Sequence, residues 1–189
     1  RLWGSKVGND FWRLIRGEEI EERESARASI SHSRVLPPND RTAEHAWSNL
    51  VALLSKAAMR LREEGFYTRS LQLHLEYFYQ GSGIDYWDNR SRFFETQDTT
   101  FLLSELKTLW AKARKHNILK IGVVVSSLVP VEKHQLSLFE NTKQSKLMMA
   151  IDKLNKTHRK NLVLFGDSAE LERPSAAPIA FGHIPEKYE

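Results

Sequence analysis

Apolar residues recur along residues 41–64 at Ala43, Ala46, Trp47, Leu50, Val51, Leu54, Ala57, Ala58 and Leu61. That is a 3.6-residue period, the mark of one buried helix face. Gly65 follows at a position suited to a left-handed helix cap. Asn39 or Asp40 offers the short side-chain oxygen that a helix start needs for its free amides. The period then changes to two. Leu71, Leu73, Leu75 and Tyr77 point one way while Ser70, Gln72, His74 and Glu76 point the other. Gln80-Gly-Ser-Gly83 reads as a turn, so residues 84–94 return as a hairpin partner. Asp98 is placed to cap a second helix striped by Leu102, Leu103, Leu106, Leu109, Trp110 and Ala113. Residues 28–35 form a strand candidate stopped by Pro37-Pro38, and residues 118–126 form another.

The order is β-α-β-β-α-β, an α+β fold. It predicts a mixed or antiparallel four-stranded sheet with two helices on one face, leaving the other, polar face available. Trp47, Leu50, Leu54, Leu106 and Trp110 belong to the core by their period. Around this unit, residues 2–16 read as a turn and a short helix with Phe11, Trp12, Leu14 and Ile15 on its apolar side. The acidic stretch from Glu18 to Glu24 reads as a linker, as do residues 127–141. A third helix is expected at 143–157, with Leu147, Met148, Ile151 and Leu154 as its apolar positions. A short strand is expected at 161–165, followed by an extended end.

Composition narrows the chemistry. With 41% hydrophobic and 28% charged residues over 189 positions, the chain has the balance of a globular protein. It has no cysteine, which excludes a disulfide framework, a thiolate zinc site and a cysteine nucleophile. The seven histidines show no ligand spacing, and no phosphate-binding or nucleophile-elbow motif occurs. Asp85 and Asp88 flank one turn rather than converging from separate elements, so hairpin polarity explains them better than a two-metal site. No secretory signal or membrane-length apolar run is present, and the start at Arg1 suggests a piece of a longer protein.

The net charge of +4 hides a gradient: residues 111–160 carry 11 basic and 3 acidic side chains. Such an excess suits a phosphate backbone, although a solvated lysine-rich face produces the same count. Within it lies Gln135-Leu-Ser-Leu-Phe139. An extended peptide of this kind can seat Leu136, Leu138 and Phe139 in a partner's groove while Gln135 bonds its rim. Composition alone equally allows Leu138 and Phe139 to fold back on their own core.

The pentapeptide resembles the clamp-binding motif of bacterial replication and repair proteins, matching it at all five positions, Gln135, Leu136, Ser137, Leu138 and Phe139. Upstream, Ile118-Leu-Lys-Ile-Gly-Val-Val-Val-Ser-Ser-Leu128 resembles the last little-finger strand of Y-family, UmuC/DinB-type, DNA polymerases. Ala28-Ser-Ile-Ser-His-Ser-Arg34, Tyr67-Thr-Arg-Ser-Leu-Gln-Leu-His-Leu-Glu-Tyr77 and Asn89-Arg-Ser-Arg92 resemble that domain's first three strands, in order. Leu2-Trp-Gly and Phe11-Trp-Arg-Leu-Ile-Arg-Gly17 resemble the end of the thumb. Residues 146–155 and 162–166 resemble the extension that follows the motif in UmuC-like proteins.

The resemblance implies a C-terminal fragment of a translesion polymerase. It divides the chain into a thumb end (1–17), a linker (18–27), a little finger (28–126), a linker with the clamp motif (127–142), a helix-strand extension (143–166) and a tail (167–189). It implies DNA-backbone contacts from Ser29, Ser31 and Arg34, from Arg69, Ser70, Gln72 and His74, from Arg90, Ser91 and Arg92, and from Lys120. Glu76 departs from the family, standing where a basic residue is usual. The implied partners are DNA, the bacterial sliding clamp and RecA- or UmuD-like regulators, in the bacterial cytoplasm. The implied Mg2+ ions belong to a palm domain that this sequence does not include, so no cofactor and no catalytic residue is expected here. The same layout occurs in inactive UmuC/DinB-like paralogues, so an adaptor bridging the clamp to another polymerase is the alternative function.

Overall fold

The fold was obtained as a computed structural model, which describes residues 6–19, 27–78, 83–134, 142–158, 163 and 165–167. Its elements in chain order are α1 (Lys6–Ile15), β1 (Ser29–Val35), α2 (Ala43–Glu63), β2 (Phe66–Phe78), β3 (Ile84–Thr96), α3 (Thr99–Ala111), β4 (Ile118–Ser126), a two-residue β5 (Val129–Pro130) and α4 (Thr142–Thr157).

The sheet order is β1-β4-β2-β3, and every neighbouring pair is antiparallel. β1 and β2 therefore run parallel to each other with β4 between them. β3 and β4 do the same around β2. Two split β-α-β units are interleaved in this way, which places α2 and α3 together on one face. The sheet is wholly antiparallel, and β5 adds a short pairing to the start of β2.

The core lies between that face and the two helices. Leu71, Leu73 and Leu75 of β2 meet Ile121, Val123 and Val125 of β4 across the sheet. They pack beneath Leu50, Leu54, Leu61, Leu102 and Leu106, all fully buried. Truncating one such leucine to alanine costs about 2–5 kcal/mol. Trp110 is buried and Trp47 half-buried, their rings tilted at a centroid distance of 6.2 Å.

Local chemistry sets the element ends. The Asp98 carboxylate accepts from Thr100 N at 2.8 Å and caps α3 as expected. Gly65 takes φ +70° just past α2, in the left-handed region that an L side chain resists. The cap of α2 differs from expectation. Pro38–Asp40 forms a single 3₁₀ turn, which uses up Asn39 and Asp40. The chain enters the helix two residues later, and the Thr42 hydroxyl accepts from His45 N at 3.2 Å.

Outside the sheet unit, α1 exposes Phe11, Trp12, Leu14 and Ile15. In α4, Met148 is buried while Leu147 and Leu154 are exposed. The expected strand at 161–165 lies largely outside the described residues, and neither Val163 nor Phe165 is in a strand. The stretch expected to be a linker after β4 carries structure as far as His134: β5, then a 3₁₀ turn over Val131–Lys133.

Candidate nucleic-acid interface

The face away from the helices is built by residues of one parity on each strand. Reading across β1, β4, β2 and β3, its rows are Ser29–Ser126–Ser70–Arg92, Ser31–Val124–Gln72–Arg90, Ser33–Gly122–His74–Asp88 and Val35–Lys120–Glu76–Tyr86. Beyond the last row Phe78 pairs with Ile84. One end is thus rich in hydroxyls and guanidinium groups. The other carries exposed Val35, Phe78, Ile84 and Tyr86.

The two ends differ in how their polar groups are engaged. Lys120 Nζ donates to Glu76 Oε1 at 2.8 Å, and His74 Nε2 lies 3.4 Å from the same oxygen. The Lys120 hydrogen bond holds the Glu76 carboxyl below its ordinary value of 4.5, burial opposes this, and His74 adds to the lowering. Gln72 is held on both sides. Its Nε2 donates to Asp88 Oδ2 at 3.1 Å and its Oε1 accepts from Arg90 Nη2 at 2.8 Å. In the first two rows, exposed Ser29, Ser31 and Arg92 make no side-chain hydrogen bond or ion pair among the described residues. Phe94 follows Arg92 on the same parity and is 96% exposed.

Gly122 sits near the middle. A Cβ there would come within 3.2 Å of Ser33 Cβ and 3.5 Å of the His32 carbonyl. Its absence lets β1 lie close to β4 at the centre of this face.

Three residues expected on this face belong to the opposite parity. Arg34 pairs in register with Ile121, faces α2 and donates to Asn49 Oδ1 at 2.8 Å. Asn49 is 1% exposed, so this bond satisfies a buried amide. Ser91 donates to Glu105 of α3. Arg69 has the parity of Leu71 and pairs with Glu95 at the end of the sheet. Successive strand residues alternate faces, so Arg90 and Arg92 lie on the open face and Ser91 on the opposite one. Ser70 has the open-face parity but is only 2% exposed, beside a register irregularity between Thr68 and Ser70, and its Oγ is out of reach of a surface ligand. The structure thus brings together Ser29, Ser31, Gln72, His74, Arg90, Arg92 and Lys120. Ser33 and Ser126 join them, and the two-residue period from Ser29 to Ser33 was the signal for the first.

Of the basic excess at 111–160, only Lys120 lies on the open face among the described residues, and it is committed to Glu76. Arg114 pairs with Asp85, and Lys156 with Glu63 at 2.6 Å, both off this face. Gln135, Leu136, Ser137, Leu138 and Phe139 lie outside the described residues. Among the described residues no group of His, Asp and Glu could hold a metal ion, and no helix is long and apolar enough to cross a membrane.

The family model described as the impB/mucB/samB family C-terminal domain matches residues 27–138. The match starts just before β1, spans the whole sheet unit and ends inside the pentapeptide. A comparison with curated proteins finds no match. The matched span covers more than half of the chain and carries the fold just described, so this protein belongs to the impB/mucB/samB family, whose C-terminal domain it contains.

Proposed function

We propose that this chain is the DNA-gripping and clamp-tethering part of a bacterial translesion polymerase. The observation that carries the reading is the hydroxyl and guanidinium end of the open face. There Ser29, Ser31, Ser33 and Ser126 lie in adjacent rows with Arg90 and Arg92. Hydroxyls and arginines bind phosphate oxygens without reading bases. A polymerase that must extend past damage anywhere needs a grip of that kind. The second contact is the Gln135–Phe139 peptide, whose Leu136, Leu138 and Phe139 would fill an apolar groove on the sliding clamp while Gln135 bonds its rim. In this reading, nucleotidyl transfer and its Mg2+ ions belong to the palm of the parent polymerase, and the whole acts in the bacterial cytoplasm.

Two binding measurements test it. Affinity for primer-template DNA should fall steeply with salt, as phosphate contacts release counterions. A clamp pull-down should capture the chain and lose it when Leu138 and Phe139 are both changed to alanine. Salt-independent DNA affinity, or undiminished capture of the double variant, sinks the corresponding half.

A further inference from the structure

The outer strand β3 turns a mixed row of side chains to the open face: Ile84, Tyr86, Asp88, Arg90, Arg92 and Phe94. Strand alternation sends its other parity toward the helices. Trp87 and Phe93 pack there against the core, and the Phe93 ring meets Phe101 edge-on at 5.2 Å. Core packing thus accounts for the aromatic residues on the buried side of β3. It does not account for those on the open side, where Tyr86 is 64% and Phe94 96% exposed.

Tyr86 has the His74 ring beside it, tilted by 31° with centroids 6.3 Å apart, and most of its own surface stays open. Phe78, across the hairpin, differs, because the Arg41 guanidinium already stands over its ring at 5.6 Å. Tyr86 and Phe94 are therefore the rings best placed to receive a ligand.

Between these two rings stand Arg90 and Arg92, both exposed. Arg90 gives one nitrogen to Gln72 and keeps the rest of its fork of donors. Asp88, the carboxylate of the row, accepts from the same Gln72 at 3.1 Å. Tyr86 and Phe94 lie eight residues apart, about 26 Å along an extended strand. A single nucleotide cannot span that, whereas about eight nucleotides can at a stacked rise of roughly 3.4 Å.

The chemistry selects the occupant. A duplex offers its phosphates but hides its base faces inside the stack, so it has nothing to lay on an exposed ring. An acidic peptide would use the guanidinium groups and leave the rings idle. An unpaired strand presents a negative charge and a π face at every nucleotide, and base stacking on aromatic rings tolerates any sequence.

We infer that the open row of β3 is a stacking track for single-stranded DNA, with bases on Tyr86 and Phe94 and phosphates on Arg90 and Arg92 between them. The inference rests on the DNA-binding reading of this face and deepens it. The face has a place for unpaired bases as well as for backbone.

The test is fluorescence anisotropy of the 189-residue chain with three labelled probes. These are a thymidine strand of roughly 12 nucleotides, an abasic strand of the same length and charge, and a blunt duplex. The chain should bind the thymidine strand at least about 10-fold tighter than the abasic one, with equal salt slopes because the phosphates are the same. Tyr86→Ala and Phe94→Ala should each cost roughly 5-fold on the thymidine strand and less than about 2-fold on the other two probes. Phe94→Trp should keep the preference, and Arg92→Ala should weaken all three probes alike. Equal affinity of the unaltered chain for thymidine and abasic strands overturns the inference without any variant having to fold. If primer-template DNA is still bound in that case, the DNA-gripping reading stands. Equal losses of the alanine variants on every probe also overturn it. So does a dimer, seen by light scattering, that Tyr86→Ala dissolves while base preference stays intact, since the rings then serve a second copy. Binding of no DNA at all removes both readings.

Discussion

The two ends of the open sheet face each carry cations, and they engage them differently. At one end Lys120, His74 and Glu76 form a closed group, with the carboxylate at its centre holding both nitrogen partners. At the other, Arg92 and the serines of β1 have no partner among the described residues. A cation already paired to a carboxylate must give up that pair before it gains a phosphate, so its net contribution to DNA affinity is small. An uncommitted guanidinium on a polar face makes no such exchange. The lesson is that charge count along the chain, highest at 111–160, does not say which cations are already paired. Commitment, not sign, marks the side chains available to a ligand.

The largest effect that would break this comparison comes from the row between the ends. Gly122→Val places side-chain carbon where a Cβ alone already meets Ser33 Cβ at 3.2 Å. It should push β1 from β4, destabilise the domain by about 1–3 kcal/mol in denaturant unfolding, and degrade both ends together. Next, Arg92→Ala should weaken primer-template DNA binding roughly 5-fold at low salt and reduce the salt slope by about 1. Lys120→Ala should change affinity by less than about 2-fold. Equal losses at the two positions would remove the distinction between the ends.

The smallest effect is a pH signature. The carboxyl of Glu76 is held below its ordinary value in the folded chain, first by Lys120. A depressed carboxylate contributes stability that is full above its unfolded value of 4.5 and disappears as pH falls through the lower folded value. Glu76→Gln should therefore lower stability near neutral pH by about 0.5 kcal/mol and remove that share of the acid-induced loss below pH 4.5. Thermal unfolding across that range checks it. An unchanged acid limb would show that the Lys120 contact does not persist in solution.

Much of the fold was legible from period alone. The β2 alternation from Leu71 to Tyr77 predicts both which residues are buried and which form the open face, because side-chain direction on a strand follows parity. The same rule, applied to β1 and β3, would have separated Arg34 and Ser91 from their neighbours. The α2 cap was less legible. Pro37 and Pro38 signal only that a strand ends, and whether the next residues turn once before the helix depends on how the chain must enter it.

What the sequence determined by itself is local or periodic: the spans of α2, α3 and β1–β4, the caps at Asp98 and Gly65, the α+β order and the pentapeptide. Each depends on residues a few positions apart, within the range over which backbone sterics and side-chain spacing act. Tertiary structure decided which charges remain available and where α4 docks. Glu76 meets Lys120 and Arg62 meets Asp152 across separations of 44 and 90 residues. No spacing rule reaches that far, because those pairs exist only once β4 lies against β2 and α4 against the end of α2.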